Sequence, residues 1–213
     1  YIEGKSNRGP TVRIDLAGNN SIKNYHKITN NYFGTRPPKG GPSAETIQLG
    51  NSFTSMAPSH TLVANNFFDH CNGEVEVISI GDEKSEQIGG VRLIGTGHWV
   101  TNNYFYNLNG QTFRSPLAVM NGIPKSPLNR YLQVTDVVVA NNSWVNCVSP
   151  WQFGVGSNVD QKDILPKSEI RSATPIRTIV ANNLIYNEIP DKQPIVTHDS
   201  IDGILFKNNM INN

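Results

Sequence analysis

The chain has 213 residues, 16% of them charged, with 18 Lys+Arg against 17 Asp+Glu for a formal net charge of +1. That length can bury a core in one large domain or two small ones, and the even charge balance offers no basic field for nucleic acid. No apolar run approaches the roughly 20 residues that cross a bilayer, and the stretch from Tyr1 lacks a basic region followed by an apolar one, so neither membrane insertion nor a signal segment is expected. Two cysteines, Cys71 and Cys147, without CxxC spacing exclude a thiolate zinc site and a disulfide-dense scaffold. They leave open two buried free thiols or a single bridge.

Asparagine is the outlier, with 27 in the chain. It is weak inside helices and strands and strong in turns, left-handed ones included. In chain order, an Asn pair followed by two mostly apolar residues occurs at Asn30-Asn31-Tyr32-Phe33, Asn65-Asn66-Phe67-Phe68 and Asn102-Asn103-Tyr104-Phe105. It returns at Asn141-Asn142-Ser143-Trp144, Asn182-Asn183-Leu184-Ile185 and Asn208-Asn209-Met210-Ile211, at intervals of 35, 37, 39, 41 and 26 residues. Short β-type runs precede most copies: His60-Thr61-Leu62-Val63, His98-Trp99-Val100, Val137-Val138-Val139 and Arg177-Thr178-Ile179-Val180. The repeating unit is strand, Asn turn, strand, with Gly50, Gly95 and Gly154 at other corners.

Such a unit is what a parallel β-helix requires. Coils stack at the strand spacing of ~4.8 Å, and an Asn at a repeated left-handed corner can hydrogen-bond the Asn of the next coil. A β-sandwich with Asn-rich turns is the alternative, but sandwiches do not repeat one tetrapeptide six times. With 13 Pro and 18 Gly no long helix is expected. Residues 37–42, 120–127 and 161–175 read as loops on one side of the solenoid. Residues 1–213 read as a single domain, without an obvious cap against edge pairing, and so as a piece of a longer solenoid.

Three strands share one shape: Glu45-Thr46-Ile47-Gln48-Leu49-Gly50, Glu74-Val75-Glu76-Val77-Ile78-Ser79 and Gly90-Val91-Arg92-Leu93-Ile94-Gly95. Alternation turns Ile47, Leu49, Val75, Val77, Val91 and Leu93 inward, so Gln48, Glu76 and Arg92 are expected to form one outward column. Glu74 and Glu76, roughly 7 Å apart on one strand face, suit a hard cation such as calcium or a base across the ladder. The plainer reading is a solvated polar face with Arg92 as the ion-pair partner of Glu76. His70 and His98 lie beside strand edges, where a lone His is more often structural. Tyr32, Tyr104 and Tyr106 read as core or corner aromatics whose hydroxyls find partners.

Together with Asn31-Tyr32-Phe33-Gly34-Thr35-Arg36-Pro37-Pro38 and Met120-Asn121-Gly122-Ile123-Pro124, these strands resemble polysaccharide lyase family 6, the alginate lyases and chondroitinase B enzymes. The likeness runs in order from about residue 11 onward, and residues 115–130 resemble the alginate-lyase branch more. It implies a right-handed, single-stranded parallel β-helix that cleaves uronate polysaccharide by β-elimination. That reaction neutralises the C5 carboxylate, removes the C5 proton with a base and protonates the leaving O4 with an acid. In the family calcium does the first, a Lys the second and an Arg on the next coil the third.

By motif, Glu74 and Glu76 match two calcium ligands. Pro42 stands where an Asn usually supplies the third, and Glu45 is the substitute. Gly81 falls where the Lys belongs and no Arg-His-Gly strand exists, because only residues 80–88 separate Ser79 from Gly89-Gly90. Either the catalytic coil has been lost, or Lys84 and Arg92 on the adjacent coil re-form the base and acid. Loss is preferred, since whole coils leave a solenoid without disturbing its fold while a new catalytic pair needs tight placement. Arg92, His98, Gln48 and Arg114 are the expected substrate-binding residues. The expected partner is an acidic polysaccharide, alginate or a glycosaminoglycan, met by a secreted or periplasmic monomer. A non-catalytic glycan-binding β-helix is the alternative, and a purely structural one the third.

Overall fold

The computed structural model describes residues 1–7, 9–14, 25–37, 45–49, 60–73, 78–80, 97–108, 116–125, 131–188 and 193–212, with the backbone alone at 48–49 and 78–80. Each turn of the chain supplies three short strands. The first turn holds β1 (Val12–Ile14), β2 (Lys27–Thr29) and β3 (Tyr32–Phe33), and the second β4 (Ile47–Leu49), β5 (Leu62–Ala64) and β6 (Phe67–Asp69). The third holds β7 (Ile78–Ile80), β8 (Trp99–Thr101) and β9 (Tyr104–Tyr106), and the fourth β10 (Leu117–Met120), β11 (Thr135–Ala140) and β12 (Ser143–Val145). The fifth holds β13 (Trp151–Val155), β14 (Ile176–Ala181) and β15 (Leu184–Tyr186), and the sixth β16 (Ile195–Thr197), β17 (Ile204–Lys207) and β18 (Met210–Asn212).

Every ladder is parallel. The second face runs β2-β5-β8-β11-β14-β17, the third β3-β6-β9-β12-β15-β18, and the first consists of β1-β4-β7 and β10-β13-β16. This is the expected parallel β-helix, and the antiparallel ladders of a sandwich are absent among the described residues. Their helical content is two 3-10 turns, Val159–Gln161 and Lys167–Glu169, and no described helix is long and apolar enough to cross a membrane.

The Asn pairs divide two tasks between them. The first of each pair, Asn30, Asn65, Asn102, Asn141, Asn182 and Asn208, takes a φ of 52 to 60° and is exposed. The second turns inward. Through its backbone N–H and its amide nitrogen, each inner Asn donates to the amide oxygen of the next, from Asn31 through Asn66, Asn103, Asn142 and Asn183 to Asn209, at 2.9–3.1 Å. Sequence reasoning assigns bend and ladder to one residue. The structure splits them because the left-handed residue sends its side chain to solvent and its successor points in.

Alternation continues past the pair, so the next residue faces out and the one after faces in. Phe33, Phe68, Phe105 and Trp144 stack inside at centroid spacings of 5.0, 4.8 and 5.0 Å with planes within 10° of parallel. Each such ring contributes roughly 2–3 kcal/mol on leaving water. Tyr32, Tyr104 and Tyr106 are therefore not core residues: Tyr104 is 40% exposed and the other two are half-buried. Tyr32 does find a hydroxyl partner, Asp69 Oδ2 at 2.5 Å, which together with burial raises its pKa to about 12. Cys71 and Cys147 are free and buried, and burial pushes both thiols up to about 12.

Candidate functional site

The first face carries the strands on which the chemistry was expected. In the ladder of β4 and β7, Ile47 pairs with Ile78, Gln48 with Ser79 and Leu49 with Ile80. The partner of Gln48 is thus Ser79, and the expected column of Gln48 with Glu76 does not form. The strands β5 and β6 pair directly with β8 and β9. The second turn therefore stacks directly on the third. Glu74, Glu76, Lys84, Arg92 and Arg114 themselves lie outside the described residues.

Two candidates are described in full. His98 is wholly buried, 0% exposed, with its carbonyl accepting from Val138 N–H at 2.9 Å, so it offers no surface to a polymer. Glu45 is 5% exposed, and its carbonyl accepts from Thr11 N–H at 2.9 Å and from Arg36 Nη1 at 2.6 Å. The described residues bring no three His, Cys, Asp or Glu side chains together, so they do not by themselves assemble the calcium set, of which they hold only Glu45.

Arg36, from the Gly34-Thr35-Arg36-Pro37 stretch, is a staple. It is 2% exposed and also binds the carbonyls of Asn7 and Gly9 at 3.1 and 2.6 Å. Gly73 is small for its sake, since a Cβ there would lie 2.4 Å from Arg36 Cδ.

Further along the same face, residues 156–175 fold back over the strands. Gly122 and Ala173 exchange backbone hydrogen bonds of 2.8 and 2.9 Å, and a Cβ on Gly122 would strike the Tyr131 carbonyl at 2.6 Å. Beneath this flap the outward residues Ala118, Met120 and Val155 are buried together. Arg171 lies over the Tyr131 ring, 5.0 Å from its centroid.

A polar cluster closes the end of the face. Asp199 Oδ2 accepts from Asn121 Nδ2 at 2.7 Å and from Ser157 Oγ at 2.8 Å. Burial alone would raise the Asp199 pKa, but the Ser200 N–H, the Ser157 hydroxyl and the Asn121 amide outweigh it and hold the carboxyl below its usual value. His198 Nε2 lies 3.0 Å from Gln152 Oε1, and burial lowers the His198 pKa toward the neutral ring. Gln152, His198, Asp199 and Ser157 were not anticipated. Asn121 belongs to the Met120–Pro124 motif, but its partners come from the fifth and sixth turns and nothing in the sequence links them to it. The cluster can exchange hydrogen bonds with a hydroxyl-rich ligand and holds the flap in place.

Three faces of short parallel strands wound turn upon turn define a parallel β-helix with a flap-covered first face. The family model described as Chondroitinase B matches residues 1–79 and 78–213. The chain belongs to that family, and its solved relatives are lyases of polysaccharide lyase family 6. The two matched stretches overlap at Ile78–Ser79, immediately before the shortened junction at residues 80–88.

Among solved structures, the chain is similar to the family 6 alginate lyase AlyGC, at 34% identity and TM-score 0.62 over 100% of this chain and 32% of that one. A mannuronic acid-specific family 6 lyase from human gut microbiota gives 24% identity and TM-score 0.54 over 99% of this chain and 53% of that one. A family 6 lyase from Pseudopedobacter saltans gives 19% and 0.55 over 99% and 62%. These last two support the fold alone. The chain spans about a third of AlyGC and under two thirds of the other two. No curated protein matches significantly.

Proposed function

We propose that the chain is a polysaccharide-lyase scaffold acting on uronate polysaccharide, alginate first, which retains the polymer along its first face while its β-elimination step has been lost. The observation that carries this is the direct pairing of β5 with β8 and β6 with β9. It supports the loss, because the Lys and Arg-His-Gly positions that the family resemblance implies would need a further turn between those strands. The alginate assignment follows the AlyGC likeness at 34% identity and the alginate-type stretch at 115–130. Because a polyuronate cannot cross a bilayer, the chain's place is secreted or periplasmic. Calcium held by Glu45, Glu74 and Glu76 would serve binding by neutralising the uronate carboxylate.

The test incubates purified chain with alginate, and separately with dermatan sulfate, while following the ultraviolet absorbance of unsaturated uronate. Retention on immobilised alginate is measured in parallel, with calcium and with chelator. Retention with a flat absorbance trace is expected. An absorbance rise abolished in Lys84→Ala or Arg92→Ala would overturn the loss of elimination and assign those residues as rebuilt base and acid. Neither retention nor absorbance change would remove uronate from the reading.

A further inference from the structure

The second face carries a feature that the uronate reading does not use. Strand alternation buries Val63, Val100, Val139 and Val180. It leaves Leu62, Trp99, Val138, Ile179 and Leu205 outward, in register across five turns. Outward strand positions are ordinarily polar. Here all five are apolar, with Trp99 54%, Ile179 40% and Leu205 57% exposed. Contiguous apolar surface of this kind, rimmed by polar groups, marks an interaction site.

The rim is charged at the middle of the stripe. Two residues before Val138 and Ile179 stand Asp136 and Arg177, which line a shallow groove of about 600 Å³ together with Val138, Ile179 and Leu205. Arg177 donates from Nε to Asp136 Oδ1 at 2.6 Å and from Nη2 to Oδ2 at 2.7 Å, which leaves Nη1 outside that pair. At the same strand position the third and sixth turns carry Gly97 and Gly203.

From this pattern we infer that the second face docks on the second face of another copy of this chain, about a two-fold axis that runs along the strands between β11 and β14. Such an axis keeps position along the strand and reverses the order of turns. Val138 then meets the partner's Ile179, Trp99 the partner's Leu205 and Asp136 the partner's Arg177, each contact occurring twice. The four charges close a ring of alternating sign, with Nη1 of each guanidinium turned across the interface. Charge selects both the occupant and the axis, because the row is complementary to itself only there. An axis through β11 would set Asp136 against its own copy, and one through β14 would do so to Arg177. Four turns at ~4.8 Å and a six-residue strand give a footprint of roughly 20 by 20 Å, at the small end for protein pairs. The dimer is accordingly weak and forms with rising concentration, in place of the monomer expected from the sequence. Both first faces stay open in it, so it stands or falls independently of the uronate reading.

The test is sedimentation velocity of the purified chain over a wide range of concentration, in which the average mass should rise from one chain toward two. Tryptophan emission should shift to shorter wavelength over the same range, since Trp144 and Trp151 are already wholly buried and only Trp99 is exposed. D136R and R177D each set like charges against one another and should weaken the pairing more than tenfold. Mixed in equal amounts, the two variants should pair as the parent does, because each then meets the opposite sign. Leu205→Glu should remain a single chain. All three changes are on the surface and should leave a cooperative melting transition. A parent that sediments as one chain throughout would overturn the inference. So would a dimer indifferent to the three variants, which assigns self-association to another surface, or a mixture of D136R and R177D that stays apart.

Discussion

Replacing Asn103 by Ala cuts the inner amide chain at its middle. The side chain is 2% exposed. Its Oδ1 accepts from the Asn66 backbone N–H and amide nitrogen at 3.0 and 3.1 Å, and its Nδ2 donates to Val63 O at 3.0 Å and Asn142 Oδ1 at 2.9 Å. Alanine fills none of these. The Asn66 N–H, one proton of the Asn66 amide and the Val63 carbonyl lose a partner in the interior, where water cannot follow. Each buried group stranded in this way costs about 1–3 kcal/mol, and neighbouring losses add incompletely, so about 3–5 kcal/mol is expected. For a chain of this size that lowers Tm by about 10 °C, read by thermal unfolding in circular dichroism. Asn209→Ala, on the last rung and half-buried, is the control and should cost less than about 1 kcal/mol because water replaces it. An Asn103→Ala protein that melts with the parent, or with Asn209→Ala, would refute the reasoning.

Two further outcomes are expected. Cys71 and Cys147, with burial holding both thiols near pKa 12, should resist a thiol reagent at mildly alkaline pH and react in step with unfolding; immediate labelling of the native protein would contradict their burial. The Arg177 guanidinium, bonded to Asp136 at 2.6 and 2.7 Å, lowers the Asp136 pKa from 3.8 to about 2. A carboxyl pKa depressed in the folded state adds stability above the unfolded value and loses it as pH falls through about 2. The gain is small because both side chains are exposed. Arg177→Ala should therefore narrow the drop in Tm across that window, and high salt should do the same to the parent; an unchanged pH slope would show the pair to be idle.

The solenoid was legible because its signal is periodic. Six Asn pairs mark six turns, and the strands read before four of them fall where β5, β8, β11 and β14 are found. What escaped was orientation. Whether Tyr104 or Phe105 enters the core depends on how many residues separate it from the left-handed bend, and that count becomes readable only once Asn102 is known to bend and Asn103 to point in. The register of the first face escaped for a related reason: alternation specifies which side a residue takes but not its ladder partner, so Gln48 could be aligned with Glu76 on paper and meets Ser79 in the fold. The Asn121, Ser157 and Asp199 cluster has no period at all. Its members come from three different turns separated by irregular loops, and only stacking brings them within 3 Å. His98 shows the converse, a polar residue at a strand edge whose complete burial no local pattern announces.

The inner Asn chain has a direction. Every rung donates toward the following turn, so the amide dipoles align head to tail along the axis and polarise one another. Among the described rungs, the Asn31 end is left as an acceptor and the Asn209 end as a donor. Two such solenoids meeting end to end could continue the chain only with like polarity, donor against acceptor. A two-fold axis would instead set acceptor against acceptor or donor against donor. A turn that carries this Asn therefore accepts a stacked neighbour in one sense only.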